Sequence, residues 1–234
     1  MKKALKIGGI VAGVVLIGFG VASVVLAIKG GNTVNSNLSQ EFITGTPDMT
    51  PTAIAPEVSA IKDAQQKIAT AQKNANVPAA QQYAFTRVEA PSCSVAGKQV
   101  KDGNTAKCFG QYMRIHALGA SSGLTYSQMG RYEAKPGAPV TSTDFNGGTN
   151  DTTQAQIDPK TQQPVSNGAR DLWVTETALT TALYLAYTGS AISLFGIVVG
   201  IALLLTGIGF VILALSGAIR RAPFTSEQPA TAPG

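Results

Sequence analysis

Two stretches without a charged side chain, Ile7 to Ile28 and Thr177 to Ile219, constrain this chain more than anything else in it. A helix crosses a hydrocarbon core of about 30 Å with about 20 predominantly apolar residues, and both stretches reach that length without Asp, Glu, Lys, Arg or His. The expected class is a membrane protein of α+β type: two transmembrane helices flanking a small extracytoplasmic domain that combines an amphipathic helix with a short antiparallel β-sheet. The expected divisions are a cytoplasmic N-terminus at 1–6, a first transmembrane helix at 7–28 and an extracytoplasmic domain at 29–171 with a flexible loop at 133–167. A long helix at 172–219 follows, with its membrane part at about 192–215, and then a cytoplasmic tail at 220–234.

Where the charge sits matters more than its sum. Of 18 basic and 13 acidic residues, which give +5, Lys2, Lys3 and Lys6 precede the first apolar stretch and Arg220 and Arg221 follow the second, against Glu227 alone. Between them the chain is nearly neutral, with 13 basic and 12 acidic side chains. Lys and Arg clustered at both ends form the positive-inside pattern, which places both termini in the cytoplasm and the centre outside a plasma membrane. The basic balance therefore reports topology and not a nucleic-acid partner. The first stretch has a rival reading as a cleaved signal peptide, with Val25-Leu26-Ala27 near a cleavage site, although its length exceeds the usual 7 to 15 apolar residues.

In the second stretch Ala178 to Ser190 mixes Thr and Tyr with apolar residues, whereas Ile192 to Leu215 is almost purely apolar. Tyr184 and Tyr187 are expected near the outer headgroups, where amphipathic rings prefer to sit. Gly9 and Gly13, Gly18 and Ala22, and Gly196 and Gly200 are pairs of small residues four apart, a spacing that lets helix backbones approach. They serve either self-association into a homo-oligomer or packing of the two spans on each other. Neither span holds an ionisable group, which argues against a proton relay, voltage sensor or charged pore lining.

Between the spans, Gly30 to Ser39 is expected to be a flexible exit from the membrane. Thr50 before Pro51 has the form of an N-cap followed by Pro at the first helical position. From Pro56 to Asn76, Val58, Ile61, Ala64, Ile68, Ala71 and Ala75 recur at threes and fours, which predicts an amphipathic helix. Alternation at Tyr83 to Glu89 and at Cys108 to Ala117 predicts strands. Val95 to Val100 and Leu124 to Tyr132 are expected to complete the sheet. Glu133 to Asn167, rich in Pro, Thr, Asn and Gln, reads as a long loop or tether.

Cys93 and Cys108, the two cysteines, fall in the segment expected outside, where one disulfide is the economical reading; a redox-active pair or two metal ligands are the alternatives. On a continuous strand Cys108 and His116, the sole histidine, would stand about 26 Å apart and form no dyad. Acidic partners for His116, such as Glu89 or Glu133, cannot be assigned from sequence. HExxH, Walker A and GxGxxG patterns do not occur, and Gly119-Ala120-Ser121-Ser122-Gly123, which has GxSxG spacing, reads as a turn, so no catalytic, cofactor-binding or metal-binding residue is expected.

The run Ile43-Thr44-Gly45-Thr46-Pro47-Asp48-Met49-Thr50-Pro51, the Cys93 to Cys108 loop, Tyr112-Met113-Arg114-Ile115-His116 and the span from Ile192 resemble a group of uncharacterised two-span membrane proteins of actinobacteria. The resemblance covers most of the chain and implies no established activity. Sequences of that group sometimes carry the label of aromatic ring-opening dioxygenase, but one histidine is too few for the two-histidine, one-carboxylate iron site of such chemistry. The expected role is that of a non-enzymatic protein, anchored in the lipid bilayer, whose disulfide-stapled domain contacts another membrane or envelope component. An accessory subunit of a transporter or channel is the first alternative. An extracytoplasmic enzyme, needing a polar pocket around Tyr112, Arg114 or His116, is the second.

Overall fold

Four α-helices form the framework among the described residues: α1 (Lys2–Gln40), α2 (Pro51–Asn74), α3 (Gly103–Ala120) and α4 (Gly168–Ser216). The computed structural model describes residues 2–138 and 147–216. Arg220, Arg221 and the tail expected at 220–234 lie outside these residues, as does the centre of the loop expected at 133–167. The chain divides into two compact units, one built on Met1–Asn32 with the chain from Ala191 onward, the other on Thr33–Ser190.

In the first unit α1 and α4 run antiparallel, and the contact is made where side chains are smallest. A Cβ on Gly13 would lie 2.7 Å from the Gly207 carbonyl oxygen, and one on Gly20 would lie 2.8 Å from that of Gly200. Ala27 continues the line against Gly196, and Gly9 against Ala214. Gly13, Gly20 and Ala27 are seven residues apart, as are Gly200 and Gly207, a 3.5-residue period that keeps one seam facing the partner in a left-handed crossing. Two hydroxyls tie the seam: Ser23 Oγ donates to the Gly196 carbonyl and Ser193 Oγ to that of Ala27, both at 2.9 Å. The remaining faces are apolar and uncovered, with Phe19 67% and Leu205 66% exposed. Both helices are long and apolar enough to cross a membrane.

The second unit has its core between α2, α3 and the first turns of α4. Thr50 caps α2, its Oγ1 accepting from the Ala53 amide at 3.1 Å, and Pro51 opens the helix, as expected from sequence. Ile54, Val58, Ile61, Gln65, Ile68 and Gln72 form its buried stripe at alternating steps of four and three. The two glutamines are satisfied there: Gln65 Nε2 donates to the Gly123 carbonyl at 3.0 Å, and Gln72 Oε1 accepts from the Tyr83 amide at 3.2 Å. Tyr112, Leu118, Leu124, Val95 and Val100 complete the fully buried set, with Trp173 and Leu183 of α4 packed on it.

The expected antiparallel sheet is absent: the described residues contain no strand, only isolated bridges such as Thr44↔Gln99 and Tyr132↔Thr149. The α+β class is thereby corrected to an all-helical framework with irregular connections. The segment expected to be the central strand is α3. Asp102 starts it with a reciprocal cap, its Oδ1 accepting from the Thr105 amide at 2.9 Å while Thr105 Oγ1 accepts from the Asp102 amide at 3.1 Å. Cys108, Tyr112, Ile115 and Leu118 then fall on one helical face and are buried. Tyr83 to Glu89 makes no ladder, Val95 to Val100 makes only single bridges to residues 44 and 45, and Leu124 to Tyr132 contains a 3-10 turn. Gly30 to Ser39, expected to be flexible, continues α1, with Ser39 Oγ bonded to the Asn35 carbonyl and Leu38 packed on the core. The described part of 133–167 is held by bridges Ala134↔Ala155 and Ile157↔Pro164 and by buried Thr149.

Candidate functional site

His116 lies near the end of α3, and the helix places it where two acidic side chains converge from other segments. Its Nδ1 is 3.1 Å from Glu57 Oε2, and its Nε2 is 3.3 Å from Asp48 Oδ2. Glu57 stands in an early turn of α2; Asp48 belongs to the tight turn that leads into the Thr50 cap. Asp48 is itself held, because the Thr46 hydroxyl donates to its Oδ1. That hydrogen bond, assisted by His116, keeps the Asp48 carboxyl below the usual carboxylate range against the opposing effect of burial. Glu57 can occupy its place because residue 119 is glycine: a Cβ there would fall 2.3 Å from Glu57 Oε1.

The three side chains are partly exposed, His116 at 29%, Glu57 at 33% and Asp48 at 45%. One donor atom from each lies within 4.8 Å of the other two. The strand expected around His116, with Glu89 and Glu133 as acidic candidates, would have hidden this meeting. On a helix the eight residues from Cys108 to His116 span about 12 Å, and the acidic partners come from Asp48 and Glu57. The one sequence signal for Glu57 is its position on α2, one residue from buried Val58.

The other polar residues near this helix turn to separate partners. Tyr112 is fully buried, donates its hydroxyl to the Cys93 carbonyl at 2.6 Å, and has its phenol pKa pushed up by burial. Arg114 lies over the Trp173 ring, 5.3 Å from its centroid. The indole N–H of Trp173 donates to Ser121 Oγ at 3.0 Å. Tyr112, Arg114 and His116 therefore do not share one pocket. A cleft of about 500 Å³ runs past Arg87, Glu89, Ser92, Gln111, Arg114 and Tyr184, with Arg87 and Glu89 paired at its rim.

Cys93 and Cys108 are joined by a disulfide, Cα to Cα 6.1 Å, which ties the irregular segment before Val95 to the first turns of α3. Gly9, Gly13, Gly196 and Gly200 all face the opposite helix of the pair, Gly13 and Gly200 most tightly. Tyr184 and Tyr187, expected at a headgroup layer, pack on α3, Tyr184 against Gly110 and Tyr187 beneath the Lys107 ammonium at 4.5 Å. Comparison with protein-family models, with curated proteins and with solved structures finds no match to this chain.

Proposed function

We propose that this chain is a two-span protein of the plasma membrane, with both ends cytoplasmic and residues 33–190 outside, acting as a non-enzymatic interaction or scaffold protein. The outward surface of the helix pair carries this reading. Phe19, Leu26, Leu194, Phe195 and Leu215 are all exposed on it, an apolar area that acyl chains cover and water does not tolerate. Lys3 and Lys6 before the first span, and Arg220 and Arg221 after the second, support cytoplasmic ends. The Cys93–Cys108 disulfide fits an oxidising compartment for the domain between the spans. The separate engagement of Tyr112, Arg114 and His116 supports a non-enzymatic role. The resemblance to two-span actinobacterial proteins stands with this proposal.

A second reading, an accessory subunit of a transporter or channel, has its own support. A Cβ added at Gly8 or Gly18 would meet nothing within 4 Å, which leaves small-residue faces on α1 for a further helix. The test is affinity purification of the C-terminally tagged protein in mild detergent, with native mass and identification of co-eluting chains. Recovery of the full-length chain alone, as monomer or homo-oligomer, supports the self-contained domain. A stoichiometric multi-span companion supports the subunit reading, and recovery from the soluble fraction without detergent overturns both.

A further inference from the structure

We propose that Asp48, Glu57 and His116 form a binding site for one divalent transition-metal ion, of which Zn²⁺ is the fitting representative. The inference does not depend on the membrane topology, because the three residues belong to one compact unit. It begins from the hydrogen-bond inventory of imidazole. A neutral ring has one N–H and one lone pair, yet both ring nitrogens of His116 face carboxylate oxygens, at 3.1 and 3.3 Å. Two flanking carboxylates call for positive charge at the ring, which either a second ring proton or a bound cation supplies.

An ion takes one ring nitrogen, and the carboxylate now on the other nitrogen, Glu57 at Nδ1 or Asp48 at Nε2, turns to join it. Ligand distances of about 2.1 Å for His nitrogen and carboxylate oxygen place donors about 3.4 Å apart around a tetrahedral ion. The ligand atoms now lie within 4.8 Å of one another and draw together on binding. Two carboxylates balance a divalent charge, and the partial exposure of all three residues leaves room for water to complete four-coordination. One imidazole among the donors favours zinc-type ions over magnesium or calcium, which take oxygen ligands. Thr46 orients Asp48 from behind, and Gly119 leaves the space that Glu57 needs. Occupied, the site clamps the start of α2 to the end of α3.

The experiment is calorimetric titration of the full-length, detergent-solubilised protein, carrying a tag without histidine, with ZnCl₂, and with MgCl₂ as comparison. We expect one Zn²⁺ per chain, a raised melting temperature on binding, and no comparable Mg²⁺ binding. Glu57→Gln and His116→Gln should each weaken Zn²⁺ binding by roughly tenfold or more, and Gly119→Ala, which removes no donor, by about tenfold through displacement of Glu57. Near-ultraviolet circular dichroism checks that each variant keeps the wild-type packing; if His116→Gln does not, Glu57→Gln and Gly119→Ala decide. Absence of stoichiometric Zn²⁺ binding by the wild type, or wild-type affinity in the folded variants, overturns the site.

Discussion

At the scale of single residues, the side chains that sequence patterning treats as interchangeable polar positions differ sharply in what they do. Glu176 is 3% exposed, and its Oε1 has no hydrogen-bond partner. Burial raises its carboxyl pKa from the ordinary 4.5, with Arg114 opposing. It lies on α4 well before Ile192, in the Thr33–Ser190 unit. Between about 4.5 and the raised value the folded state holds more protons than the unfolded state, so stability from this group falls as pH rises through that window. We expect Glu176→Gln to melt above wild type at neutral pH, with the advantage shrinking as the pH drops below the unfolded value; melting curves across that range check it. Asn167 has the opposite character. Its Nδ2 donates to the Gly130 carbonyl at 3.0 Å, and its Oδ1 accepts from the Ala169 amide at 3.2 Å, capping α4. Asn167→Ala should cost roughly 1–3 kcal/mol, read by chemical denaturation, since it strands a buried carbonyl and removes a cap.

At the scale of elements, α2 is legible in the sequence and α3 is not, for reasons visible in particular residues. Thr50-Pro51 and the steps from Val58 to Ile68 are a cap and a stripe that need no tertiary partner to be recognised. In α3, the alternation of Arg114 and His116 with Met113 and Ile115 imitates a strand over a short window, while the helical set Cys108, Tyr112, Ile115 and Leu118 is equally present. The decision rests on the Asp102 cap and on the face of α2 that α3 covers. The disulfide fastens this helix to the irregular segment before it, closing a loop of sequence separation 15. Its reduction, or paired Cys93→Ser and Cys108→Ser replacement, should cost roughly 3 kcal/mol in denaturant unfolding of the domain. In the helix pair, four-residue spacing selects Gly9, Gly13, Gly196 and Gly200, whereas the seam follows the seven-residue steps Gly13 to Gly20 and Gly200 to Gly207. Gly20→Leu, which drives a side chain into the Gly200 backbone, should destabilise the detergent-solubilised protein by roughly 1–3 kcal/mol, while Gly18→Leu, with open space around it, should not; thermal melts of the two variants compare them.

At the scale of the whole molecule, two apolar helices are joined to a polar unit that has its own hydrophobic core. We expect the protein to stay with membranes after an alkaline carbonate wash. In right-side-out vesicles, added protease should cleave only within residues 33–190; cleavage of the tail at 220–234 instead would reverse the proposed orientation. The two long apolar helices follow from composition alone, because about twenty uncharged apolar residues in a row have few stable alternatives to a membrane helix. The amphipathic stripe of α2 and the pairing of Cys93 with Cys108 are likewise written in local pattern and cysteine count. Three features emerge only in the folded chain: the helical state of α3, the seven-residue period of the glycine seam, and the meeting of His116 with Asp48 and Glu57. Each depends on which faces meet across long separations in the chain. Packing of the assembled core chooses such contacts, and a local pattern carries no information about its distant partner.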